Sequence, residues 1–106
     1  MEFVVNGVKW KIEYVKPNSD LLRRSDGVFV LGVTDNNEKA VYINDRLSGR
    51  LLTKVITHEI VHCFCFSYEI IVPIETEELI ADFVATYGED VLEVADEVLG
   101  RFAKII

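Results

Sequence analysis

Histidine is nearly missing from this chain: there are two in 106 residues, at 58 and 62. Cysteine is as rare, with Cys63 and Cys65 alone. They stand too close for an ordinary disulfide, and C-x-C is not the usual zinc-hook spacing. A disulfide scaffold is therefore excluded, and the pair reads as reduced, buried thiols of a cytoplasmic protein. Proline occurs only at 17 and 73, each marking a join between elements. Basic residues are in deficit, 11 against 18 acidic, for a net charge of −7. No basic stripe is available to neutralise a phosphate backbone, so nucleic acid is excluded as the main partner. No run of roughly 18 apolar residues is present, so no membrane span is expected. The start, Met1-Glu2-Phe3-Val4-Val5-Asn6-Gly7, lacks the basic-then-apolar pattern of a signal peptide.

Half of the residues are hydrophobic, enough for one domain over 1–106 to bury a core. The first half reads as β. Glu2–Val5 and Val8–Tyr14 flank Asn6-Gly7, a dipeptide suited to a type I′ hairpin turn. Val28–Val33 and Ala40–Asn44 flank a polar loop at 35–38 and suggest a second hairpin. Pro17 to Arg24 is a short helix or an irregular loop. The second half reads as α. Helical spacing of Leu51, Leu52, Val55, Ile56, Glu59 and His62 predicts a helix from near Ser48 to near Ser67, capped by Ser48 or Asp45. A second helix is expected from Thr76 to Tyr87, stopped by Gly88. A third, amphipathic helix follows over about 89–103, its apolar face being Val91, Val94, Ala95, Val98, Leu99 and Phe102. Strands first and helices afterwards predict an α+β fold with an N-terminal antiparallel sheet.

Both histidines belong to His58-Glu59-Ile60-Val61-His62. On a helix, positions i and i+4 share a face, so two imidazoles can grip one metal ion with Glu59 beside its water. A catalytic zinc takes three protein ligands and keeps one position open. With no histidine left, the third ligand falls to cysteine or a carboxylate. The next helix carries Glu78 and Asp82, again at i and i+4. Glu78 can complete a His₂Glu site, and Asp82 can accept the free N–H of a liganding imidazole. Glu77 points about 100° away and is the second choice as ligand. His₂Glu chemistry favours Zn²⁺ among the divalent metals. In such a site Glu59 takes a proton from the attacking water and passes it to the leaving amine. Tyr87 or Tyr68 is the aromatic candidate for the oxyanion.

His58-Glu59-Ile60-Val61-His62 followed by Glu78-Leu79-Ile80-Ala81-Asp82 resembles the gluzincin pattern of thermolysin-like enzymes. With Tyr42-Ile43-Asn44 ahead of it, the stretch from about 39 to 88 is most similar to the ImmA/IrrE family of small metallopeptidases. The resemblance implies a zincin-like fold and zinc held by His58, His62 and Glu78. It also implies Glu59 as base, Asp82 behind the ligands, and a cleft edge strand that pairs with a substrate peptide. The implied substrate is a protein or peptide, with a repressor-type regulator as one such partner. The alternative is a zincin-like binding module or regulator that acts through a protein partner without catalysis.

Overall fold

The structure is a computed structural model that describes the backbone of residues 1–105 and the side chains of residues 1–100. It is an α+β fold: a four-stranded mixed sheet and two helices. Strands β1 (Glu2–Val5) and β2 (Val8–Val15) form the expected antiparallel hairpin, with Val5 opposite Val8. Asn6 and Gly7 between them both have positive φ, at 48° and 77°. That is the type I′ geometry, and it matches the right-handed twist of the strands.

Two expectations for the sheet need correction. The strand expected over 28–33 is displaced to β3, Gly32–Asp35. It runs on to Asp35 because that carboxylate accepts the N–H groups of Asn37 (2.9 Å) and Glu38 (3.1 Å), closing the turn one residue beyond the strand. The sheet is also mixed rather than wholly antiparallel, with order β1-β2-β4-β3. Strand β4 (Ala40–Asn44) runs antiparallel to β3 but parallel to β2, Lys11 lying opposite Ala40 and Val15 opposite Asn44. The cause is that all five residues of β4 are buried. An apolar strand covered on both faces gains most from a central position with partners on both sides. The crossover from β2 to β3 that this requires includes a single 3₁₀ turn at Asp20–Leu22.

The two faces of β4 divide the core. Val41 and Ile43 point to one side and pack with Val5, Trp10 and Cys63. Ala40 and Tyr42 point to the other and pack with Leu22 of the 3₁₀ turn. Helix α1 (Gly49–Ser67) covers the first side. It is pinned at its end by Trp10, whose indole N–H donates to Ser67 Oγ at 2.8 Å, and by Asn6, whose amide donates to Ser67 O at 3.0 Å. Ser48 stands at the cap position, but its side chain makes no capping bond.

The two later helices expected from the sequence are one. Helix α2 runs unbroken from Ile74 to Ile105. Pro73 precedes it, and its carbonyl accepts the N–H groups of Thr76 (2.9 Å) and Glu77 (3.1 Å), so Thr76 lies inside the first turn and is not the cap. Gly88 does not stop the helix, because a glycine ends a helix by adopting positive φ and Gly88 is not among the residues that do. Phe102 of the expected apolar face lies outside the described side chains. No described helix is long and apolar enough to cross a membrane.

Cys63 and Cys65 are free and buried. Burial pushes the Cys63 thiol up to about 12 and raises that of Cys65. Both are therefore expected to resist thiol reagents in the native protein at pH 8 and to react on unfolding, which mass spectrometry of the alkylated chain reads directly. The unfolded chain releases the Cys63 proton near its ordinary value of 9.0, well before the folded chain does. Above that pH the folded state binds more protons, so this thiol's contribution to stability falls as pH rises from about 9 towards 12. Denaturation at pH 8 and pH 10 should show a smaller drop for Cys63→Ala than for the wild type.

Candidate metal centre

The centre lies where α1 meets the first turns of α2. The helices run antiparallel, so one turn of α1, His58 to His62, faces one turn of α2, Asp82 back to Glu78. His58 Nε2 lies 3.0 Å from Glu78 Oε2, and His62 Nε2 lies 3.1 Å from Glu78 Oε1. The two Nε2 atoms are 3.3 Å apart. A tetrahedral zinc with bonds of 2.0–2.1 Å separates its ligand atoms by roughly 3.3 Å, and one ligand atom from each of the three residues lies within 4.8 Å of the others.

The outer nitrogens have carboxylate partners, which leaves the inner ones for a cation. His58 Nδ1 is 2.9 Å from Asp82 Oδ1, and His62 Nδ1 is 2.5 Å from Glu77 Oε2. With each Nδ1–H donating to its carboxylate, each neutral ring turns a bare Nε2 towards the other and towards Glu78. In that tautomer, acceptor atoms converge at hydrogen-bond distance, a set that could hold a cation. Among the described residues, His58, His62 and Glu78 form the group that could hold a metal ion. Asp82 lies behind the His58 ring. Glu77, the second choice as ligand, lies at the back of the His62 ring, and Glu78 faces the Nε2 side. Loss of this bond by Glu77→Ala is expected to weaken zinc binding by about 10–100-fold, measured by competition with a chromogenic chelator.

Glu59 lies beside the ligands, its Oε2 4.0 Å from His58 Nε2. It is only 7 % exposed. Burial raises its carboxyl above the ordinary carboxylate value, a shift opposed by the hydrogen bond from Thr34. The Thr34 hydroxyl lies 3.0 Å from Glu59 Oε1 and 3.1 Å from the Glu59 carbonyl, and donates to the helix at that point. One oxygen of Glu59 is thereby anchored and the other left towards the centre. Thr34 reaches it because β3 crosses α1 closely at Gly32. A Cβ at Gly32 would stand 2.9 Å from Val55 Cγ1 and 3.0 Å from Glu59 Cγ. Sequence reading missed Thr34, since β3 was expected to end at Val33.

The centre opens into a cleft of about 840 Å³, bounded by β3, by Leu51, Val55 and Phe66 of α1, and by Ile74 at the start of α2. The cations on its wall are Arg24 and Lys54. Neither tyrosine expected at the oxyanion lines this cleft. Tyr68 stacks on Phe64 and Tyr87 packs against Phe83, both about half exposed. The cysteines do not line it either, so among the described residues no fourth protein ligand closes the set. In comparison with known proteins, the chain matches no family model, no curated protein and no solved structure.

Proposed function

We propose that this chain is a zinc-dependent peptidase of the gluzincin type, zincin-like in fold and similar to the ImmA/IrrE family. The observation that carries the reading is the convergence of His58 Nε2, His62 Nε2 and the Glu78 carboxylate beside a buried, anchored Glu59. Three ligands and an open cleft suit catalysis better than a structural site, which four protein ligands would close. A zinc ion held there supplies Lewis acidity towards a carbonyl oxygen and towards water. Glu59 accepts the proton of a water whose oxygen bonds to the scissile carbonyl carbon. The same carboxyl then gives that proton to the amine nitrogen as the C–N bond breaks. Asp82 and Glu77 hold the rings in the tautomer that presents Nε2, and Thr34 holds Glu59.

The substrate is an extended protein or peptide segment. Strand β3 is a sheet edge with no strand on its outer side, and it borders the cleft, so a substrate strand can pair with its backbone. Strand β4 is central and has no free edge. A repressor-type regulator remains a proposed substrate class.

The test is hydrolysis of a quenched fluorescent peptide library by the zinc-loaded protein. Cleavage that a chelator abolishes and added zinc restores supports the proposal. A chain that holds stoichiometric zinc yet cuts no peptide of the library would instead favour a binding module.

A further inference from the structure

Residues 55–100 contain no lysine or arginine. Helix α2 is about 48 Å long at 1.5 Å per residue, and the buried and half-buried positions of its first half give way to exposed ones over 91–99. The packed stripe of that half runs through Glu77, Ala81, Val84 and Gly88, at alternating spacings of four and three residues. The same stripe continues as Val91, Ala95 and Val98, with Leu92, Val94 and Leu99 widening it. Nothing in the described chain covers it: every residue from 91 to 99 is exposed, Leu92 and Leu99 at 66 % and Val94 at 59 %.

On a helical wheel the apolar residues span somewhat less than half the circumference, and acidic residues border them on both sides. Glu89 and Asp96 lie beyond Leu92, and Asp90 lies beyond Val94. Cations stand near this border where α1 lies along α2. Arg50 and Lys54 of α1 share one cleft with Glu89 and Asp90. A second copy of this chain would bring the acidic residues of 89–97 against one another, and residues 55–106 hold only two cations, Arg101 and Lys104, against eleven acidic residues.

We propose that the second half of α2 is a docking helix for a basic amphipathic helix of a partner protein, lying end to end with α1 on the same stripe. The partner supplies leucine- or valine-like knobs to the stripe and lysine or arginine to both borders. This surface is independent of the metal centre.

The probe is a labelled helical peptide of about four heptads, with leucine at the seam and lysine or arginine beside it, followed by fluorescence anisotropy on the 106-residue protein. A second peptide carries glutamate in place of the basic residues. The basic peptide is expected to bind at least about tenfold more tightly than the acidic one at low salt. A Val91→Ser/Val94→Ser/Leu99→Ser variant should lose that binding. A Glu89→Lys/Glu93→Lys/Asp96→Lys variant should prefer the acidic peptide. Circular dichroism and metal content of each variant establish that it folds. Absence of binding by the wild type overturns the proposal. So does binding that survives the serine substitutions, which would make the contact one of charge alone. Self-association that the serine variant abolishes would assign the stripe to a second copy instead.

Discussion

Replacing Glu59 with glutamine is expected to leave the fold and the metal in place while lowering peptide hydrolysis by about 10²–10⁴-fold. The substitution is close to isosteric, so the packing of α1 against β3 is kept. The amide oxygen can still accept the Thr34 hydroxyl, which sits 3.0 Å from the native carboxylate. What is lost is the ability to take a proton from water and return it to the amine. Because Glu59 does not coordinate in this arrangement, zinc content should match that of the wild type, and the loss should fall on kcat rather than on KM. Hydrolysis by Glu59→Gln at the wild-type rate would remove Glu59 from the role of base. Glu59→Ala is a poorer probe, since it removes the carboxylate that the Thr34 hydroxyl bonds and opens space beside Gly32.

The parts of this site that were legible in the sequence are those that depend on one helix at a time. His58 and His62 share a face because they are one turn apart, and so do Glu78 and Asp82. Two helices crossing antiparallel then need only one register to bring Asp82 behind His58 and Glu78 between the rings. Glu77 was harder to place. A helical wheel puts it about 100° from Glu78 and cannot tell whether that angle meets solvent or the neighbouring helix. It meets His62. Thr34 was invisible for a different reason: it lies 25 residues from Glu59, and its role depends on where β3 stops and how closely Gly32 lets it approach α1. The parallel pairing of β2 with β4 is likewise non-local. Hairpin signals see neighbours in sequence, whereas burial on both faces decides that β4 is central. The unbroken α2 was missed because Gly88 was read as a stop, when only a positive φ would have made it one.

Removing a ligand should have a larger effect on metal binding than removing any group behind the ligands. Glu78→Ala is expected to weaken zinc binding well beyond the roughly 10–100-fold expected for an outer partner. Glu78 is the one residue within 3.0–3.1 Å of both Nε2 atoms, so its loss leaves the two imidazoles as the whole set. Two ligands at i and i+4 hold zinc weakly unless a third fixes the geometry. The helices should stay together, because Glu77 and Asp82 still accept from the two rings and Ala81 remains packed. Glu78→Gln provides a milder comparison that keeps size and removes charge. If Glu77→Ala abolished binding while Glu78→Ala reduced it only modestly, the two carboxylates would exchange roles.

The proposed peptidase activity depends on the metal centre, and elemental analysis tests that centre most directly. The wild type and His58→Ala, purified without chelator and then incubated with zinc, are compared by metal content per chain. The proposed function predicts about one zinc per wild-type chain and essentially none in the variant. No retained metal in the wild type, or equal metal in both proteins, would contradict the centre formed by His58, His62 and Glu78.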